Sequence, residues 1–220
     1  MIVEDLIEKD FHSLKSNMSF KEASLVFNEC KQSDLPVIDD SGYQGLVLWE
    51  QIKGREDNLD SLSTISEQFR KVSVLPSERM IVAIDKMTNE GIQALPVVDE
   101  DNTVIGVLLA INLWSQFAVK SSLVQPGGWI VLSMHKRDYK FSEIAHIVES
   151  NNATILMHFI NFIEGLDLIE VHIKVDRENV NELVQNFQRY DYKVSDVIQA
   201  KKFEDDWENR FDELMRFFST

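Results

Sequence analysis

The feature that most constrains the fold of this chain is a five-residue motif that occurs twice. Residues 35–39 are LPVID, and residues 95–99 are LPVVD. Apolar runs of this length that end in turn residues are typical of buried strands. A motif that returns at a fixed offset indicates a duplicated structural unit, and such a unit decides the fold class.

The residues around each motif extend the duplication. An amphipathic helical pattern precedes each copy, and an acidic turn follows it, with Gly45 or Gly106 opening a second apolar run. Each repeat is therefore predicted to form helix, strand, turn, strand and helix, over residues 19–52 and 77–120. Ser19 and Glu22 have the spacing of a capping box, and Ser77 is the predicted cap of the second repeat. A polar connector at 53–71 and an entry strand at 72–75 complete a predicted first domain, residues 1–122.

A different pattern begins after the Pro-Gly-Gly sequence at 126–128, which is the strongest break in the chain. Residues 128–199 contain strand-like and helix-like segments in the order β-α-β-β-α-β, which is the ferredoxin-like arrangement. Apolar and polar residues alternate over 168–175. This predicts a strand with one solvent-exposed face that includes His172 and Lys174. The fold class predicted for the whole chain is α/β followed by α+β.

The last segment, residues 200–220, has a third pattern. Aromatic and aliphatic residues recur every three or four positions among acidic ones, for example Trp207, Phe211 and Phe218. This spacing predicts an amphipathic C-terminal helix whose apolar stripe packs on its own chain, on a second copy or on another protein.

The composition excludes several classes of function. A formal net charge of −15 argues against nucleic acids and anionic membrane surfaces as partners. A single cysteine, Cys30, excludes an internal disulfide and a cysteine-based zinc site. The N-terminus lacks a signal-peptide pattern, and the longest apolar run is far shorter than the ~20 residues of a spanning helix. We therefore expect a soluble, cytoplasmic protein.

The candidate catalytic motifs favour structural interpretations. Ser133 and Lys136 match Ser-x-x-Lys, but they lie on a predicted strand, where the two side chains do not share a helix face. His158 and His172 lie on neighbouring predicted strands where they could face each other, yet no third ligand for a metal is evident. The acidic residues that follow each motif are best explained as solvated turns. The chain is predicted to be neither an enzyme nor a metal-binding protein.

The duplicated motif, with its following glycine and apolar strand, resembles a tandem pair of CBS (cystathionine β-synthase) domains. Residues 128–199 resemble an ACT-type regulatory domain, and the combination is similar to bacterial proteins labelled acetoin-utilisation B type. The first resemblance implies a sensor that binds AMP, ADP, ATP or another adenosyl compound between the repeats, with no cofactor certain, and that dimerises.

The predicted ligand site departs from the usual pattern of that family. The resemblance implies a Ser or Thr and then an Asp three residues later, at the end of each repeat's second strand. This chain has Leu48 and Gln51 in the first repeat, and Leu109 and Asn112 in the second. Asn112 can still bond a ribose hydroxyl, which favours the second site. The full set of predicted ligand-binding residues is Leu35, Pro36, Gln51, Leu95, Pro96, Leu109 and Asn112.

Two functions remain open from the sequence. The first is a regulatory module that senses a small molecule through the CBS pair. The second is a structural homodimer or adaptor with degenerate ligand sites, which binds another protein through the C-terminal helix. In the ACT-like segment Tyr139 stands where a glycine is usual, and a side chain there blocks close approach of backbone to an amino-acid ligand.

Overall fold

A computed structural model describes residues 1–199, and these residues belong to two compact units. The first unit is Met1–Phe117, and the second begins at Ala118. The division falls inside a helix and therefore differs from the predicted limit at residue 122. The predicted C-terminal helix lies outside the described residues. Within residues 1–199 no helix is long and apolar enough to cross a membrane.

The first unit contains two copies of the same order of elements, as predicted. Its helices and strands are α1 (Phe20–Cys30), β1 (Asp34–Asp39), β2 (Gly42–Leu48), α2 (Trp49–Ile52), α3 (Met80–Glu90), β3 (Ala94–Val98), β4 (Val104–Leu109) and α4 (Ala110–Lys120). A 3-10 helix at Leu62–Gln68 lies in the connector. β1 pairs with β2 and β3 with β4, both antiparallel, in separate two-stranded sheets.

The first helices of the two repeats end alike and begin differently. α1 and α3 each have 11 residues and stop at a left-handed residue, Lys31 or Gly91. Ser19 caps α1 in the predicted capping box with Glu22, whose pKa is lowered mainly by the backbone N–H of Ser19. The predicted cap at Ser77 is wrong, because α3 begins after Arg79 without a side-chain cap. Ser77 instead lies in a turn closed by the hydrogen bond from Glu78 N to Leu75 O.

Two extended segments interlock the repeats by pairing with both hairpins. Around the N-terminus, Leu14 pairs in parallel with Val37 of β1, and Glu8 pairs with Val107 of β4. The connector repeats this arrangement, since Val74 pairs with β3 and Arg70 with β2. The predicted entry strand at 72–75 is therefore only this isolated bridge at Val74.

The glycine that opens each apolar run makes the interlocking possible. A β-carbon on Gly106 would lie 2.5 Å from the carbonyl oxygen of Glu8, and one on Gly45 would lie 2.8 Å from Cβ of Phe69. Real β-carbons do not approach other atoms so closely. Both glycines have positive φ and stand at irregularities in the hairpin register. The repeated glycine is thus explained by close backbone approach.

The second unit has the predicted β-α-β-β-α-β order. Its elements are β5 (Gly128–His135), α5 (Phe141–Ser150), β6 (Ile155–Phe162), β7 (Leu168–Val175), α6 (Asn181–Arg189) and β8 (Lys193–Ile198). The sheet order is β6-β7-β5-β8 with all neighbours antiparallel. Ile144 of α5 and Phe187 of α6 share one buried cluster with Leu132 and Val171 of the sheet.

Two predictions about the sheet are corrected. Lys174 is only 3% exposed rather than solvated. Its ammonium donates a 2.6 Å hydrogen bond to Leu123 O and lies 5.6 Å from the Trp129 ring centre, and burial lowers its pKa. The two histidines do not face each other, because Phe159 is the cross-strand partner of His172. His158 therefore points to the opposite face of the sheet.

The corrected helix start predicts different effects for two serines. Ser19→Ala removes the cap of α1 and should lower the free energy of unfolding by about 1 kcal/mol. Ser77→Ala is the matched control and should change it by less than about 0.5 kcal/mol. Urea denaturation monitored by circular dichroism measures both. Equal losses for the two variants would contradict the assigned helix starts.

Candidate functional site

The strand ends of the two repeats are joined through Asp34 in a region that we name the repeat junction. It is defined by Asp34, Leu48, Ala94 and Leu109. Asp34 pairs with Leu48 across the first hairpin, and Ala94 with Leu109 across the second. Asp34 then joins the two hairpins, because its carboxylate binds the backbone of β3.

Asp34 is 1% exposed, and its carboxylate accepts several hydrogen bonds. The N–H of Gln93 lies 3.0 Å from Oδ1 and 3.2 Å from Oδ2. The N–H of Ala94 and the hydroxyl of Ser33 donate to the same group. A buried carboxylate needs such donors to offset its desolvation. The second repeat has Ala94 at the position equivalent to Asp34. It therefore has no carboxylate there to form the reciprocal hydrogen bonds with the first repeat.

The side chains of the duplicated motif lie inside the fold. Leu35 and Leu95 have no exposed surface, and they belong to two separate hydrophobic clusters, one for each repeat. Pro36 and Pro96 are buried as well. The two predicted leucines therefore offer no side-chain surface to a ligand in this conformation.

The first predicted polar position, Gln51, is occupied by internal hydrogen bonds. Its Oε1 accepts a 2.8 Å hydrogen bond from Leu48 N, and its Nε2 donates a 3.0 Å bond to Gln68 O. α2 has only 4 residues, so it offers little helix dipole to a ligand. The first repeat therefore uses its polar side chain to hold its own backbone.

The second predicted polar position, Asn112, is available. It is exposed in the first turn of α4 and forms no side-chain hydrogen bond with any residue from 1 to 199. α4 has 11 residues, and the N–H groups of a helix start favour hydrogen-bond acceptors. Leu109, one turn earlier, is half-buried and contributes only apolar surface. The two halves of the junction are thus chemically different.

Sequence reasoning missed Asp34 and Tyr43. The hydroxyl of Tyr43 donates a 2.7 Å hydrogen bond to Val72 O, and burial raises its pKa. This bond ties the first hairpin to the connector. The available signal for Asp34 was its place directly before the duplicated apolar motif, where the other copy has an alanine.

In the second unit, the charged side chains around Tyr139 form local ion pairs. Nζ of Lys140 lies 2.8 Å from Oε1 of Glu143, and this contact raises the lysine pKa and lowers that of the carboxyl. Tyr139 packs against the hydrophobic core of the unit. The side chain at the position where the resemblance implies a glycine therefore belongs to the core of the unit.

The comparison with family models concerns the second repeat. The CBS-domain family model matches residues 67–112, which include α3, β3, β4 and the start of α4. Homoserine O-acetyltransferase from Methanohalobium evestigatum is 34% identical over 116 residues, covering 50% of this chain and 23% of that protein. L-aspartate semialdehyde sulfurtransferase from Methanosarcina acetivorans is 24% identical over 115 residues, covering 51% and 23%. The chain thus spans about a quarter of the length of these two curated relatives.

Solved structures resemble part of the chain. A CBS domain pair/ACT domain protein from Thermotoga maritima is 19% identical with a TM-score of 0.49, over 55% of this chain and 98% of that one. CBSX2 in complex with AMP is 22% identical with a TM-score of 0.46, over 54% and 98%. The predicted CBS domain is confirmed for the second repeat by the family model, and the first repeat has the same order of elements.

The carboxylate of Asp34 is the buried polar connection between the hairpins, whereas the hydrogen bonds of Asn102 with Ser41 and Tyr43 join their turns at an exposed position. Asp34→Ala leaves the N–H groups of Gln93 and Ala94 without their acceptor, so we expect a loss of about 2–3 kcal/mol in unfolding free energy. Asp40→Ala removes the same charge from an exposed turn and should change stability by less than about 0.5 kcal/mol. Urea midpoints at unchanged slope measure both losses. A small loss for Asp34→Ala would mean that the repeats are held together without it.

Proposed function

We propose that the first unit is a CBS pair that senses a small molecule at the repeat junction, and that the chain is regulatory rather than catalytic. The observation that carries this proposal is the free amide of Asn112 at the start of α4, beside the strand end at Leu109. The CBS match over residues 67–112 supports it, because the match includes Asn112.

The ligand class that fits best is an adenosyl compound without a polyphosphate. A CBS pair implies an adenosyl ligand by resemblance, and the Asn112 amide suits a ribose hydroxyl. The Asp34 carboxylate is fixed at the start of β3, and the chain carries a net charge of −15. Both disfavour a highly anionic ligand. A neutral or cationic adenosyl compound, such as S-adenosylmethionine, should therefore bind more tightly than ATP.

Ligand occupancy would act through the same connection that joins the hairpins. Gln93 and Ala94 donate their N–H groups to Asp34, and Ala94 faces Leu109 across the hairpin. A ligand beside Leu109 would favour one of two arrangements of the contact between Asp34 and β3. The population of the favoured arrangement rises in proportion to how much more tightly that arrangement binds the ligand. This gives the ligand a physical route to the packing of one repeat on the other.

The curated relatives support an accessory role. About half of this chain matches each of two enzymes of different name, and in each the match covers 23% of the protein. A segment common to different activities is better explained as a regulatory part than as the catalytic one.

A second candidate is a structural homodimer or adaptor with decayed sites. It is favoured by Gln51, whose amide is occupied internally. Leucine at positions 48 and 109 adds support, because it offers no hydrogen bond to a phosphate.

A thermal-shift and calorimetric titration with S-adenosylmethionine, AMP and ATP tests the ligand proposal. A ligand at a hundredfold over its Kd should stabilise the protein by about 2.7 kcal/mol. S-adenosylmethionine should bind more tightly than AMP, and AMP more tightly than ATP. Asn112→Ala should weaken binding roughly three- to tenfold, the value of one hydrogen bond, because it removes the amide.

Gln51→Ala is the control for that titration, since its amide is already engaged and its loss should leave affinity unchanged. Equal weakening by both variants would place the ligand elsewhere. Binding of free amino acids alone would move the site to the second unit, and silence with every compound would favour the adaptor.

A further inference from the structure

The sheet of the second unit has one face on which α5 and α6 do not pack. Both helices contribute to the buried cluster on the face that carries Leu132. Side chains alternate between the two faces along a strand, so Val131 and its cross-strand partner His172 lie on the other face. Trp129 is two residues before Val131, and Phe159 pairs with His172, so both lie there as well. We name this surface, defined by Trp129, Val131, Phe159 and His172, the outer face.

The outer face is aromatic, and its centre is covered. The rings of Trp129 and Phe159 meet edge-on with centres 5.9 Å apart, and Phe159 stacks on His172 at 4.4 Å. Phe159 lies on the edge strand β6 and is 42% exposed, whereas Val131 on β5 is only 4% exposed. A sheet face in open water leaves the side chains of its inner strands accessible. The burial of Val131 therefore indicates a further layer over the middle of the outer face.

The C-terminal segment, residues 200–220, begins at the border of the outer face. β8 is the edge strand beside β5 and ends at Ile198, which is the cross-strand partner of Trp129. The chain therefore leaves the sheet next to the aromatic cluster. Phe203, the first aromatic residue of the segment, follows Ile198 by five positions, which an extended chain spans in at most about 18 Å. This distance is enough for the segment to reach the outer face.

The apolar stripe of the segment matches the length of the strand beneath it. The stripe consists of aromatic and aliphatic residues three or four positions apart, namely Phe203, Trp207, Phe211, Leu214 and Phe218. A helix from Phe203 to Phe218 spans about 22 Å at 1.5 Å per residue. β5 has 8 residues and spans about 23 Å. An amphipathic helix of this length can lie along β5 with its apolar stripe on the sheet and its acidic residues in water.

We propose that residues 200–220 fold back over the outer face and form a third layer of the second unit above Val131. The segment of the same chain is favoured over a separate partner, because it starts beside Trp129 and binds without the loss of translational freedom that association costs. Burial of the apolar stripe stabilises the contact. A docked stripe is not available to another protein, so an adaptor function would require its release. The proposal does not depend on a ligand at the repeat junction.

Thiol labelling of the full chain tests whether the outer face is covered by this segment. Cys30→Ala removes the single cysteine, and Ser133→Cys then places a thiol on the outer face, two residues after Val131. Ser142→Cys is the matched control, because Ser142 is exposed on α5, on the opposite side of the sheet. Each thiol is labelled with excess maleimide, and mass spectrometry measures the rate.

Two double variants in the segment identify the cover. Trp207→Ser/Phe211→Ser removes two side chains of the stripe and should raise the labelling rate of the Ser133→Cys thiol about tenfold, because a cover that is closed about nine-tenths of the time slows labelling to that extent. The rate at Ser142→Cys should not change. Asp205→Ser/Asp212→Ser alters the polar side of the same segment and should leave both rates unchanged. Circular dichroism confirms that the variants are folded.

Two results would overturn the proposal. The first is a Ser133→Cys rate that the stripe variant does not raise, which would mean that the segment does not cover the outer face. The second is protection of the thiol that disappears over an about hundredfold dilution, because a contact within one chain does not depend on concentration. That result would assign the segment on the outer face to a second copy. Protection that is constant on dilution and lost in the stripe variant supports the proposal.

Discussion

One buried carboxylate joins the strand ends of the two hairpins in the first unit. Asp34 holds the backbone of β3 from the start of β1, and it is the charged residue that crosses directly from one hairpin to the other at 1% exposure. Asn102 hydrogen-bonds Ser41 and Tyr43 at the turns of the hairpins. Two extended segments add to these connections, since the one at Glu8 pairs with the second hairpin and the one at Arg70 pairs with the first. A polar contact that is buried and fully hydrogen-bonded is costly to break. It therefore defines where the strand ends lie and what chemistry a ligand meets beside them.

Duplication supplies the framework, and departures from it supply the proposed functions. At the junction, Gln51 binds its own backbone while its counterpart Asn112 is free. On the helix surface, Lys21 is replaced by Ile81, so one repeat is polar where the other is apolar. The proposed ligand site can then belong to the second repeat.

Much of the fold could be predicted from the sequence, because it is encoded in local patterns. The duplicated motif, the glycines and the strand periodicity predicted the order of elements in both units. Contacts between distant residues could not be predicted, since no local pattern reports them. In the sequence, Asp34 is an ordinary polar residue before a strand. The alternation of apolar and polar residues predicted a solvated Lys174, but its side chain is buried and donates a hydrogen bond to Leu123. The burial of Leu35 and Leu95 and the engagement of Gln51 could not be predicted, because they depend on tertiary packing.

The central claim is that an adenosyl ligand binds at the repeat junction beside the Asp34 contact. Its most direct test is a nitrogen-15 NMR titration of the full chain with S-adenosylmethionine. The account predicts the largest shift changes at the backbone amides of Gln93 and Ala94 and along Leu109 to Asn112. Changes confined to residues 128–199, with the amides of the junction unaffected at saturating ligand, would contradict it.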